Sequence, residues 1–189
     1  VTNRTETSIT ALDITSFSDF QIGEELPCYV NIPDANFKTY LLANAALNLN
    51  SNGEIECSEA AAYTGGFWIP SLSISDLTGI EAFVHLNDLN CAFNPITSLN
   101  VTTLPELVNI SAINNSISSI DLSSNTLLQE LNLEGNQLTA IDVSNNTALV
   151  HLNVGNNQLT ALDVTNNPAL DGLTAYTNQI STLDLSGNP

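Results

Sequence analysis

Basic side chains are almost absent from this sequence. Arg4 and Lys38 stand against 20 acidic residues, giving a formal net charge of −18 over 189 residues. Nucleic-acid binding is excluded, because displacing phosphate counterions needs a patch of lysine or arginine. Adsorption to an anionic membrane is disfavoured for the same reason. No apolar run approaches the ~18 residues that a membrane-spanning helix requires. Cysteine is scarce, and the three present, Cys28, Cys57 and Cys91, cannot all pair within the chain. The chain opens at Val1 with neither a methionine nor a signal-like apolar segment, so it reads as one whose targeting segment has been removed. A surface this acidic leaves cations as natural partners.

What is present is self-similarity. From Leu86 the chain divides into 21-residue units that begin at Leu86, Leu107, Leu128, Leu149 and Leu170. Position 4 of a unit reads Leu89, Ile110, Leu131, Leu152, Leu173, and position 6 reads Cys91, Ala112, Leu133, Val154, Ala175. Position 9 is asparagine every time: Asn94, Asn115, Asn136, Asn157, Asn178. Positions 11, 14 and 16 are aliphatic throughout, as in Leu159, Leu162 and Val164. The alternation at positions 4 and 6 predicts one short parallel strand per unit with those side chains inward. The other aliphatics fill the same core from the returning part of the coil. The asparagine falls where the chain leaves the strand. Its amide is expected to satisfy backbone groups that strand pairing cannot reach, in a ladder at the ~4.8 Å strand spacing.

The units "LQELNLEGNQLTAIDVSNNTA" (128–148) and "LVHLNVGNNQLTALDVTNNPA" (149–169) carry a resemblance to the leucine-rich-repeat family, in its bacterial extracellular, internalin-like form. A more divergent unit precedes the regular ones, with Phe67, Ile69, Leu72, Ile74, Leu77, Ile80 and Phe83 apolar. Within it, "ISDLTGIEAF" (74–83) has the three-residue apolar spacing of internalin-type repeats. The resemblance covers about residues 64–189 and implies an α/β solenoid with a curved, parallel concave β-sheet. It does not name a ligand, because such repeats serve adhesion, receptor recognition and enzyme regulation alike.

Residues 27–63 read as an N-terminal helix–loop–helix cap. Pro33 and Asp34 start a helix with Phe37, Leu41 and Ala45 on one side and Tyr40 nearby, and "SEAAAY" (58–63) forms a second short helix. Residues 1–26 form an extension in which "ITALDIT" (9–15) echoes "LTALDVT" (159–165), as half a repeat, an edge strand or a coincidence. The chain stops inside a repeat at "LDLSGNP", with no polar cap over the terminal core, so a longer protein is expected.

Between the two helices, "NLNSNGEIECSE" (48–59) has the spacing of an EF-hand loop. Asn48, Asn50 and Asn52 would offer side chains, Glu54 its carbonyl, and Glu56 and Glu59 carboxylates, with Gly53 at the sharp turn and Ile55 packed behind. Only two of these ligands are anionic, so the loop is either a weak calcium site or a vestigial turn held by its own asparagines. Cys57 lies in this loop and Cys28 just before the first helix. They are read either as a bridge stapling the cap or as two reduced thiols. Cys91 occupies core position 6, where a small apolar residue is expected.

Strand positions 3, 5, 7 and 8 face outward on the concave side. They present Asp88, Asn90, Phe93, Asn109, Glu130, Asn132, Glu134, His151, Asn153 and Tyr176, and Trp68 falls at position 5 of the divergent unit. Aromatic platforms beside amides and carboxylates suit a sugar or a protein partner. Trp68 has a second reading, packed beneath the cap helices. No catalytic constellation emerges. Glu130 and Glu134 are ~13 Å apart along one strand, beyond the ~5–9.5 Å used by glycosidase pairs, and no nucleophile has a base in reach. Two histidines give zinc no four-ligand set. A column at position 15, Asn100, Asp121, Asp142, Asp163 and Asp184, is read as turn-forming, or as a low-affinity cation row. The sequence therefore predicts a non-enzymatic, secreted or surface-displayed monomer that recognises an extracellular protein or glycan, with a structural spacer as the alternative.

Overall fold

The computed structural model describes residues 27–189 in full, and residues 1–26 only as the backbone of two strands, β1 (Thr2–Thr5) and β2 (Ser8–Ala11). These pair antiparallel in a sheet of their own. Ile9–Ala11 of the "ITALDIT" echo thus belong to a hairpin strand outside the repeat sheet, and residues 12–15 lie outside the described residues.

Asp34 caps helix α1 (Ala35–Ala43), accepting from the N–H groups of Asn36 (2.9 Å) and Phe37 (3.0 Å). Phe37 and Leu41 are buried. The helix ends before Ala45, which sits exposed in a turn and not on the apolar side expected from its spacing. The second oxygen of Asp34 accepts from the Ser75 N–H at 2.8 Å, which ties the cap to the first coil. Burial alone would raise this carboxyl's pKa; the hydrogen bonds from Ser75, Phe37 and Asn36 outweigh it and hold the value below the ordinary one. Helix α2 (Cys57–Ala62) begins one residue earlier than expected. The Cys28–Cys57 disulfide is formed, flanked by backbone bonds from Val30 N to Ile55 O and from Cys57 N to Cys28 O, both 2.8 Å. Cys91 is free and buried, and burial pushes its thiol up to about 12.

Six parallel strands follow in chain order: β3 (Thr64–Trp68), β4 (His85–Asn90), β5 (Asn109–Ser111), β6 (Glu130–Asn132), β7 (His151–Asn153) and β8 (Gly172–Thr174). Leu89, Ile110, Leu131, Leu152 and Leu173 pair in register, so the 21-residue period is one turn of the solenoid. The core is the stack of those leucines and isoleucines with positions 1, 6, 11 and 16 of each coil up to the one beginning at Leu149; in the last coil Ala175 and Ile180 are only partly buried and Leu185 is exposed. Each such side chain contributes about 1.5–3 kcal/mol by leaving water. The divergent unit carries a short 3-10 helix (Ile80–Ala82) and buries its expected apolar residues except Leu72, which is 40% exposed. Leu72 stands where the later coils have asparagine, and Asn94 of the next coil caps its N–H at 3.1 Å. The cap closes the N-terminal end of the core through aromatic contacts, with Phe67 centred 4.9 Å from Phe83, 5.4 Å from Tyr63 and 6.0 Å from Phe37.

The asparagine ladder is present, but it runs from amide to backbone, not from amide to amide. Each amide nitrogen bonds carbonyls of its own coil and the preceding one, while its oxygen caps an N–H of the preceding coil. Asn157, for example, donates to Leu133 O (2.9 Å) and Val154 O (3.1 Å) and accepts from Leu138 N (3.0 Å). A second ladder at position 19, not anticipated from the sequence, runs through Asn125, Asn146 and Asn167, all fully buried, and Asn188. Together the two columns sew successive coils together where strands are only three residues long.

Candidate functional site

The β pleat turns positions 3 and 5 of each strand out of the core. Trp68 settles there: it is 69% exposed, and the reading that buries it under the cap is wrong. A register shift between Gly65 and Gly66 pairs Phe67 with core Leu89 and Trp68 with Asn90, sending one ring inward and the next outward. The Trp68 backbone N–H bonds the Tyr40 hydroxyl of the cap at 3.2 Å. Trp68, Asp88, Asn90, Asn109, Glu130 and Asn132 line a depression of about 260 Å³. A second, of about 180 Å³, shares Glu130 and Asn132 and continues past His151 and Asn153 to Gly172. The two form one groove across the sheet, with Asn109 Nδ2 donating to Asp88 at 2.9 Å within it. His151 faces Glu130 at 3.6 Å, an exposed pair of small energetic weight.

At the C-terminal rim of the strands the chain builds a fixed cluster. The Tyr176 ring lies over Gly155, where an added Cβ would come within 2.9 Å of it. Its hydroxyl reaches back to donate to Glu134, two coils away. Asn153 Nδ2 (2.9 Å) and Asn156 Nδ2 (3.3 Å) donate to the same carboxylate. These bonds, the tyrosine's first, hold the Glu134 carboxyl below its ordinary range, and the same bond raises the Tyr176 phenol above its own. Gly155 and Asn156 were not singled out from the sequence. Their signal was positional, since Gly155 is the one glycine in column 7, beside the one tyrosine.

Phe93 stands at the next position along the coil, on the turn and not on the strand. The whole column is left-handed: Ser71 φ 58°, Phe93 58°, Asn114 52°, Gly135 69°, Asn156 53° and Thr177 50°. Asparagine and glycine tolerate this conformation, whereas phenylalanine rarely adopts it, at a cost of about 1–3 kcal/mol. Phe93 is nevertheless 56% exposed, so core packing does not account for it.

The loop at 48–59 keeps its turn geometry, with Gly53 at φ 84° and Ile55 buried. Asn50 and Asn52 each direct an amide nitrogen at Glu56 Oε1 (2.9 and 3.0 Å), and their oxygens accept from Asn52 N and Glu54 N. Glu59 uses one oxygen on Leu49 N and the other on Glu56 N. Asn48 Oδ1 is buried without a donor, as are the Oδ1 atoms of Asn125, Asn146, Asn167 and Asn188 in the position-19 ladder. The Glu54 side chain pairs outward with Lys38 at 2.7 Å. Among the described residues no three His, Cys, Asp or Glu side chains converge as a metal cluster. In the position-15 column, Asp121, Asp142, Asp163 and Asp184 each accept from the backbone N–H two residues on, at 2.8–3.0 Å. The hydroxyl and the N–H of that same serine or threonine hold the carboxyls below the ordinary range, the hydroxyl first at Asp121 and Asp142 and the N–H first at Asp163 and Asp184. That is the turn-forming role.

Residues 52–188 match the family model of the leucine-rich-repeat domain of the endo-β-N-acetylglucosaminidase EndoS. The chain belongs to this leucine-rich-repeat family. Among solved structures, the functional domain of InlJ from Listeria monocytogenes, described as including a cysteine ladder, aligns at 32% identity and TM-score 0.76 over 86% of this chain and 36% of that one. The internalin InlF of the same organism aligns at 25% identity and TM-score 0.71, over 84% and 48%. Internalin C2, at 22% identity and TM-score 0.61 over 87% and 83%, shares the fold. No curated protein matches significantly. The chain thus spans about a third to a half of the first two structures, and it is an internalin-like leucine-rich-repeat solenoid. Where the InlJ domain is described by a cysteine ladder, this repeat array holds the single Cys91 and carries its ladders in asparagine.

Proposed function

We propose that this solenoid is a non-catalytic, extracellular recognition module that takes a protein or glycoprotein partner on the concave face of its sheet. The observation that carries the reading is the exposure of Trp68, Phe93 and Tyr176, each more than half open to solvent on a face otherwise made of amides and carboxylates. Large aromatics left uncovered beside polar groups are the usual anchors of an interface. The Cys28–Cys57 bridge supports an oxidising, extracellular setting. Replacing Trp68, Phe93 or Tyr176 by alanine is expected to weaken capture on a glycoprotein array at least tenfold, with the melting temperature little changed. Capture untouched by all three substitutions would sink the reading.

The second reading, a spacer that displays another domain, is favoured by one fact: the matching family model describes the repeat domain of an enzyme. An absence of capture both in calcium and in chelator would favour it.

A weak calcium site at Asn48, Asn50, Asn52, Glu54, Glu56 and Glu59 belongs to the same proposal. Its support is the buried, donorless Asn48 Oδ1 at the loop's first position. An ion there must displace the Asn50 and Asn52 amides from Glu56, which sets the affinity at the millimolar end of such loops. With a Kd of ~1 mM, calcium at tenfold excess stabilises the fold by about 1.4 kcal/mol. A melting temperature identical in calcium and in chelator would leave the loop as architecture alone.

A further inference from the structure

We infer that Tyr176 and Glu134, set by Gly155, form a receptor for one guanidinium or ammonium side chain of a basic partner protein. This rests on the concave face being the binding face. The groups are built for the purpose before any ligand arrives. Gly155 offers no side chain, so the tyrosine ring can lie over its backbone, and the hydroxyl bond to Glu134 fixes the ring's remaining freedom. One side of the ring is thereby covered and the other stays open, with Tyr176 52% exposed. An ordered, half-open ring beside a carboxylate presents a cation with both a π face and a counter-charge.

The charge of Glu134 is the second part of the argument. Its hydrogen-bond donors are Tyr176, Asn153 and Asn156, all neutral, so they orient the carboxylate without cancelling it. No lysine or arginine occurs anywhere in residues 39–189. An anionic ligand would be repelled from such a surface, while a basic one is steered toward it. A neutral sugar would use the ring and hydrogen-bond the carboxylate, but it carries no charge to pair with it.

The test is side-chain NMR on the intact chain at physiological salt, where the Debye length of ~8 Å suppresses diffuse attraction. The probes are Nα-acetyl-arginine amide, its neutral isostere Nα-acetyl-citrulline amide, and N-acetylglucosamine. The arginine probe is expected to shift the Tyr176 ring and the Asn153 and Asn156 amides, with the citrulline probe giving at most a third of that effect. Glu134→Gln, which keeps the shape, should reduce the arginine shift at least threefold, and Gly155→Val should do the same by displacing the ring. Equal shifts from arginine and citrulline, shifts spread over the Asp121–Asp184 column, or persistence in Glu134→Gln would each overturn the inference, as would a larger Tyr176 shift from N-acetylglucosamine. If Tyr176→Ala weakens glycoprotein capture while the arginine probe is silent, this inference alone falls. If capture ignores all three aromatic substitutions, the concave-face reading falls with it.

Discussion

Asn136→Ala should lower the unfolding free energy by about 3–4 kcal/mol, far more than the same change at the half-buried Asn132 of β6. Asn136 is 8% exposed and holds two coils at once. Its nitrogen donates to Ala112 O and Leu133 O, both at 2.9 Å, and its oxygen accepts from Ile117 N at 3.0 Å. The carbonyls keep a second partner in Asn115 and Asn157, at 3.1 and 2.9 Å, so their loss is partial. The Ile117 N–H has no alternative and is left buried and unpaired, which alone costs about 1–3 kcal/mol, with about 1 kcal/mol more for each lost bond. Chemical denaturation measures this directly. The comparison is Asn132→Ala, whose side chain makes only the local 3.2 Å bond to Glu134 N and should change stability by less than about 1 kcal/mol. In a solenoid each coil packs chiefly on its neighbours, so a break in mid-array is also expected to broaden the transition or split it. Equal effects at the two positions would mean that the ladder is not what joins the coils.

Reduction of the Cys28–Cys57 bridge is the second large effect. The cysteines are 29 residues apart, and closing a loop of that size removes about 3.5 kcal/mol of unfolded-state entropy. For a chain of this length that corresponds to a fall in melting temperature of about 10 °C. The loss has a local address. The bridge holds the segment before α1 against the start of α2, and α1 in turn supplies Phe37 against Phe67. When the cap loosens, Phe67 and Phe83 at the end of the repeat core meet water. Scanning calorimetry with and without dithiothreitol, and of the Cys28→Ser, Cys57→Ser double variant, checks the prediction. Cys91 does not confuse the result, because it is buried and its thiol sits at about 12. An unchanged melting point in protein with all three thiols free would show that the cap is held by packing alone.

Both predictions fall on features that differ in how far they could be read from residues. The position-9 asparagines were legible as a column. That each bonds backbone in two coils was not, because a column shows recurrence and not direction. The position-19 ladder recurs just as plainly, in Asn125, Asn146, Asn167 and Asn188, but lies in a polar stretch that reads as a surface turn. Only the closed coil shows that stretch folding inward. Trp68 illustrates the limit on the binding face. Its neighbours allow either burial or exposure, and a single register shift at Gly65–Gly66 decided between them. Tyr176 and Glu134 stood in one column of the sequence, 42 residues apart. Nothing in either said that they touch, because the contact depends on what Gly155 leaves out.

The sequence by itself determined the period, the parallel strand in each unit, the core columns and the acidic balance of the chain. Those follow from spacing and composition, which act locally and repeat with each coil. The tertiary structure alone decided which asparagines are buried, that Cys28 meets Cys57, which aromatics stay in solvent, and which side chains meet across coils at the rim. Each of those depends on stacking one coil on the next, where a missing side chain in one turn becomes the seat of a ring from another.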